Sequence, residues 1–318
     1  LMGLPLSWSK TCLIVKESEL VNSELETLSD GYTGRELFKS LLEEIKKEKY
    51  LEQFCWLYNL SFHSNLIEVA QKRDGKFEID EEMFKVLFEL SVRSEMNYQT
   101  VREAFGDFSK HANQRLGEPS LDPEFCPDGY FGTFLNGAPQ VTAIYAKSVA
   151  AMEQENVELL WIPAIDNGEK YVAEVSDYAF IGKNSARKQQ AYEVIRLMMD
   201  MPITIMTQPE GNVPEISVNI ERSLEMLDNF NNLENELPIK DMTGKLFHTV
   251  NQQKLSDEEL NEIRGVITGI SNLYLDFSSE ARHELTASYR DYRDLCIKNG
   301  KIDYKMCYAE MLKYFHVN

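Results

Sequence analysis

Apolar residues recur along this chain at two spacings, and the elements they predict shift from mixed strand and helix to mainly helix at about Tyr178. Leu4, Pro5 and Trp8 lead into "TCLIVK", whose β-branched and apolar content predicts a buried strand. Thr33 and Glu36 form a capping box ahead of "LFKSLLEEIKKE", where Leu37, Leu41, Leu42 and Ile45 fall on one helical face. "EQFCWLYNLSFHSNLIEVAQK" predicts an aromatic-rich loop or strand that turns into helix, after which Asp80 caps a helix over "EEMFKVLFELSVRSEM". The glycines and prolines from Gly117 to Gly137 predict an ordered loop carrying one short helix.

Farther on, "QVTAIYA" from Gln140 to Ala146 predicts a strand, "KSVAAMEQ" a short helix and "VELLWIPA" a strand. Asp166, Asn167 and Gly168 supply the positive-φ residues of a tight turn, so that "WIPA" and "KYVAEV" form a hairpin or neighbouring extended segments. Helices are predicted over Ser185 to Asp200, Glu215 to Asp228, Asp257 to Leu275, Glu280 to Lys298 and Asp303 to Phe315. The first of these should pack by Ala191, Val194, Ile195 and Met198.

Charge narrows the partners. With 33 basic against 52 acidic residues the net charge is -19, which opposes a general grip on nucleic-acid phosphates or on an anionic membrane. No apolar run approaches the roughly 20 residues needed to cross a bilayer. The five cysteines, Cys12, Cys55, Cys126, Cys296 and Cys307, form no CxxC pair, so buried free thiols are expected rather than a disulfide framework or a zinc site. Neither glycine-rich phosphate loop occurs, His283 and Glu284 lack the second histidine of a zinc-protease helix, and no serine sits in a G-x-S-x-G elbow. Asp122, Glu124 and Asp128 resemble a calcium loop except that Pro127 stands where the sharp turn requires glycine. No metal, cofactor or catalytic residue is therefore assigned.

Aromatic side chains at segment ends are the more informative feature. Trp8, Phe62, Tyr145 and Tyr178 each stand where a segment changes character, whereas Trp161 beside Ile162 and Pro163 has the surroundings of a core ring. Such rings either fill the interior or stack on a sugar while carboxylates and amides bind its hydroxyls.

The order of segments resembles the extracellular solute-binding proteins of family 1, the maltose-binding-protein-like receptors of ABC importers. "LPLSWSKTCLIVKESEL" is similar to the family's crossover strand, with Ile14 and Val15 where tyrosine and asparagine often stand. "SDGYTGRELFKSLLEEI" resembles its "TWDEL" helix start, with Gly34 in place of tryptophan, and "KFEIDEEMFKVLFEL" the start of a lobe helix. "FLNGAPQVTAIYAKSVAAM" resembles its "F-x-x-G-x-x-A-M" signature. "VELLWIPAIDNGEKYVAEVSDYAFIGKNSARKQQAYEVIRLMMD" matches its proline-ended strand, glycine turn, returning strand and "K-x-x-A-x-x-F-I" helix. "GNVPEISVNIERSLEML" and "KNGKIDYKMCYAEMLKYF" resemble its later turn and closing helix.

The resemblance implies an α/β, periplasmic-binding-protein-like (type II) two-lobed fold with a helix-rich C-terminal part, lacking the N-terminal part of the first lobe. Residues 1–171 would form most of one lobe, 172–209 a hinge strand and helix of the other, and 210–318 a helical region packed on both. The implied function is non-catalytic capture of a small polar solute, a carbohydrate, by hinge closure in an interlobe cleft, and its delivery to a membrane permease, by a lipid-anchored bacterial protein outside the cell. Trp8, Phe62, Tyr145 and Tyr178 would stack on the ligand, and Ser9, His63 and Asp177 would hydrogen-bond it. The strand over 172–181 would present a bare edge open to self-association. Two other readings stay open: a helical docking module without a ligand, and a glycoside-active enzyme using paired carboxylates.

Overall fold

A computed structural model describes residues 2–21, 23–47, 70–73, 76–105, 132–200, 216–232, 237–240, 246–250, 254–275 and 280–316. Its organising element is strand β1 (Met2–Lys16), 15 residues long. Along its second half β1 pairs antiparallel with β4 (Gly132–Gly137) and β5 (Val157–Trp161). Along its first half the partners are β6 (Tyr171–Ile181) and β7 (Ile216–Ser217), both antiparallel. The exchange falls at Ser9 and Lys10, which pair with Glu174 of β6 and Gly137 of β4.

Cys12 to Val15 of the run "TCLIV" are buried, as its composition predicts, and they face two sides. Leu13 and Val15 enter a core built with α2 (Gly34–Lys46) and α3 (Glu81–Phe105), together with β3 (Lys76–Ile79), α8 (Glu280–Asn299) and α9 (Lys305–His316). Cys12 and Ile14 point the other way, toward Ala146 of α4 (Pro139–Glu153), Trp161, and Val266 of α7 (Asp257–Gly269). A strand period of two thus divides one sequence run between two helical layers. Trp8 belongs to a third cluster, with Ala143 and Ile144 of α4, Ala173 of β6, Leu227 of α6 (Ile220–Asp228), and Ile263 and Ile267 of α7.

Local signals place several helices accurately. Thr33 and Glu36 make the reciprocal capping box of α2, and Leu37, Leu41, Leu42 and Ile45 are all buried. The Asp80 carboxylate accepts the Met83 amide at 3.0 Å at the start of α3. Gly34 is required by contact, because a Cβ there would lie 2.7 Å from the Pro163 carbonyl oxygen.

Other expectations are corrected. The predicted strand over Gln140 to Ala146 is helical and continuous with the next segment in α4, entered by Pro139 and closed by Gln154 at φ 56. Burial of Ala143, Ile144 and Ala146 against two core clusters overrides the strand preference of the β-branched residues. Ala70–Arg73 (β2) pairs with β3 as a hairpin instead of ending a helix. The turn at Asp166 to Gly168 contains no positive φ; Gly168 is needed because a Cβ would come 1.9 Å from the Gly31 carbonyl oxygen. Strands β5 and β6 form no hairpin, since each pairs with β1.

The later chain is less uniformly helical than its periodicity implies. Helix α7 ends at Gly269 and passes directly into β10 (Ile270–Leu275), and a hairpin joins β8 (Leu237–Lys240) to β9 (Leu246–Val250). Strand β10 runs parallel to β6 along Tyr171–Val175, so the edge expected to be bare is covered over that length. A Cβ at Gly269 would lie 2.8 Å from the Glu169 carbonyl oxygen, so the last residue of the helix has to be a glycine. Helix α5 (Lys188–Asp200) follows β6, but Val194 is exposed while Ile195 is buried.

Candidate functional site

The place where β1 changes partners contains the densest group of the sequence-derived candidates. Pro5 cannot donate to a strand ladder, and the β1–β6 register slips between Pro5 and Ser7 and again between Ser7 and Trp8. Such bulges bend a strand and re-aim its side chains. Across this irregular stretch Pro5 pairs with Tyr178, Ser7 with Asp177, Trp8 with Val175 and Ser9 with Glu174. Four candidates, Trp8, Ser9, Asp177 and Tyr178, therefore share one short piece of ladder.

Trp8 itself is occupied by protein. It is 2 % exposed, and its indole Nε1 donates to the Ser217 carbonyl at 3.1 Å. In this state the ring packs in the core instead of presenting a stacking face. Ser9 is also buried. Tyr145 lies on α4 directly after Ile144, a member of the Trp8 cluster. Phe62 and His63 lie outside the described residues.

Ser217 secures the far side of the bulge. Its Oγ donates to the Met199 carbonyl at 2.7 Å and accepts the Asn219 amide at 3.1 Å, while its own carbonyl also receives the Ser223 hydroxyl at 2.8 Å. One buried serine thereby ties β1 to the end of α5 and the start of α6. Burying these polar groups is tolerable because their hydrogen bonds are made internally.

Sequence reasoning missed Lys10, which stands at the exchange point. It is 4 % exposed, its Nζ donates to the Val172 carbonyl at 2.7 Å, and it lies 5.7 Å from the centre of the Tyr171 ring. A lysine inside an otherwise buried strand run was the available signal, since buried ammonium groups need partners. Around it, burial and then Glu262 raise the Cys12 thiol, opposed by Lys10, so Cys12 is held as the neutral thiol. Burial followed by Glu262 and Cys12 also raises the Tyr171 phenol.

Glu262 was likewise missed. Its Oε1 accepts the Trp161 indole N–H at 2.8 Å, and Tyr32 donates to the Trp161 carbonyl at 2.7 Å. Desolvation raises the Glu262 carboxyl above its ordinary range; the Trp161 hydrogen bond opposes this, and Glu259, Glu258 and Glu158 add to the rise. The described polar groups Lys10, Ser217 and Glu262 are thus fixed by hydrogen bonds within the protein beside a shared strand. The cation and the thiol are both held by internal contacts.

No protein-family profile matches the chain, and no curated protein matches it. Among solved structures it is similar to the galacto-N-biose/lacto-N-biose I-binding protein of the ABC transporter from Bifidobacterium longum, in complex with lacto-N-biose. The identity is 11 % and the TM-score 0.40, with 99 % of this chain and 68 % of that chain covered. At that TM-score the likeness carries no inference about the ligand of this chain.

Proposed function

We propose that this protein captures a small polar solute, with a carbohydrate as the chemical class, on the outer side of a bacterial cell and passes it to the permease of an ABC importer. The observation that carries the reading is the partner exchange of β1. One strand runs through two sets of neighbours, with β6 and β7 up to Ser9 and β4 and β5 from Lys10 onward. A bulged crossover of this kind can serve as a hinge between units that close on a ligand. The sequence resemblance described above is collinear with that arrangement.

In this reading the division near residue 171 separates two lobes, and the cleft lies beside the β1–β6 ladder. Ser9 and Asp177 hydrogen-bond the solute, and Tyr178 and Tyr145 supply apolar faces, with Phe62 and His63 completing the set. Trp8 supports the hinge from the core side, where its indole is anchored to Ser217. Binding in such a site rests on directional hydrogen bonds to hydroxyls combined with ring contact, and needs no reacting group.

The test is calorimetric titration of the protein with a panel of mono- and oligosaccharides. Saturable binding by at least one sugar is expected, weakened about tenfold or more by Asp177→Asn or Tyr178→Ala. Small-angle scattering should show a smaller radius of gyration with that sugar present. A panel without saturable heat would remove the carbohydrate reading, and sugar turnover by the wild-type protein would replace it with the glycoside-active one.

A further inference from the structure

An asparagine followed by glycine can modify itself, because the glycine amide nitrogen is free of side-chain obstruction and lies within reach of the asparagine carboxamide. The pair occurs three times in this chain, at Asn136–Gly137, Asn167–Gly168 and Asn299–Gly300. The fold treats the three differently. Asn136 and Gly137 are held extended in the β1–β4 ladder, opposite Thr11 and Lys10. At the end of α8 the Gly300 amide donates to the Ile297 carbonyl at 3.1 Å, so its nitrogen is engaged.

The turn between β5 and β6 leaves the third pair open. Asn167 is exposed, and among the described residues the Gly168 amide has no hydrogen-bond partner. The Asn167 Oδ1 accepts the Glu169 amide at 3.0 Å, which folds the carboxamide back over Gly168 and polarises its carbonyl. The same donor is placed to stabilise the oxyanion that forms when the carbonyl carbon is attacked.

From this arrangement we infer that Asn167 is a site of spontaneous covalent modification, closed by Gly168 to a succinimide and opened by water to aspartate and isoaspartate, ahead of the other two pairs. In the first step the Gly168 nitrogen bonds to Cγ of Asn167, the Cγ–Nδ2 bond breaks, and ammonia leaves with the proton from the Gly168 amide. In the second step water cleaves one of the two imide bonds. Cleavage at Cγ leaves aspartate; cleavage at the main-chain carbonyl leaves isoaspartate, whose extra methylene lengthens the backbone. Nothing is oxidised or reduced.

The place of the turn gives this change a structural consequence. The carbonyls of Ala164 and Ile165 accept the amides of Gly34 and Arg35, both at 2.9 Å, and Asp166 pairs with Arg35 at 2.7 Å, so the turn holds the start of α2. It has no slack, since a Cβ at Gly168 would lie 1.9 Å from the Gly31 carbonyl oxygen. A lengthened backbone displaces those carbonyls from α2, and either product adds a carboxylate beside Asp166 in a chain whose net charge is already -19. The inference is independent of the solute reading, since it uses no residue assigned to the ligand.

The experiment is incubation of the full chain at mildly alkaline pH, sampled over weeks and read by peptide mapping with mass spectrometry. The peptide containing Asn167 is expected to convert to its two acid forms at least about fivefold faster than those containing Asn136 and Asn299, a factor equal to one net hydrogen bond. In urea, with the fold removed, the three should convert at similar rates. The melting temperature of the wild type should fall as isoaspartate accumulates. Asn167→Gln, whose longer side chain has to close a six-membered ring, should keep its melting temperature through the same incubation. An intact Asn167, or conversion of Asn136 or Asn299 at the same pace, overturns the inference. An equal lead for Asn167 in urea also overturns it, because the cause would then lie in local sequence instead of the folded turn. A fall in melting temperature shared by Asn167→Gln overturns the consequence for α2. The sugar titration is read on fresh protein, so either proposal can fail without the other.

Discussion

Helices α2 and α5 are each 13 residues long, and each has the apolar spacing of an amphipathic helix, yet they occupy opposite situations. In α2 seven residues are buried, including Leu37, Phe38 and Leu41, and the start is locked by a capping box. In α5, of the four residues predicted to pack, Ile195 is buried and Ala191 and Met198 are half-buried, but Val194 is exposed, as are Tyr192 and Leu197. Amphipathic spacing fixes which residues share a side of a helix. It does not supply the element that covers that side.

The sharpest way to break the comparison is a cavity in α2. Phe38→Ala should cost about 3–5 kcal/mol in urea unfolding, because the ring is fully buried among helices and strands. A loss below 1 kcal/mol would mean that α2 is no better packed than α5. Thr33→Ala removes the side chain that accepts the Glu36 amide and should cost about 1 kcal/mol, read as a lower melting temperature.

The pH dependence sharpens the account of how α2 is held to α3. Burial would raise the Asp80 carboxyl, but the Met83 amide and the Arg35 guanidinium outweigh it and hold it below its ordinary 3.8. A depressed carboxylate adds stability above its unfolded value and loses it as the pH falls through the folded one. Asp80→Asn should therefore lower the melting temperature at pH 6, and the gap from wild type should close below about pH 4. A gap that stays constant from pH 6 to below that point would exclude the ion pair as its source. Leu197→Ser in α5 should have the smallest effect on stability, within about 0.5 kcal/mol, because the side chain is already in solvent. A larger loss would show that α5 has a packing role hidden by its exposure.

Legibility followed the range of the interaction. The caps at Thr33 and Asp80 act within one helical turn, so their partners lie three residues away and the sequence contains the whole device. The helix over Pro139–Glu153 was misread because Val141, Thr142 and Ile144 have strand preferences that packing against distant clusters overrides. For the candidate site, Ser9 and Trp8 were named from one segment and Asp177 and Tyr178 from another, and the ladder brings these segments together. Lys10 and Glu262 escaped notice since each is defined by partners far along the chain, Val172 for the first and Trp161 for the second.

By itself, then, the sequence determined the buried strand "TCLIV", the capped helices α2 and α3, and the acidic balance of the surface, all of which depend on residue type and short spacing. Only the tertiary structure decided that Trp8 is a core ring, that β1 exchanges partners at Ser9 and Lys10, and that α5 buries Ile195 while leaving Tyr192, Val194 and Leu197 in solvent. Those outcomes depend on which surfaces meet across long separations in the chain, and local pattern specifies a face without specifying its neighbour.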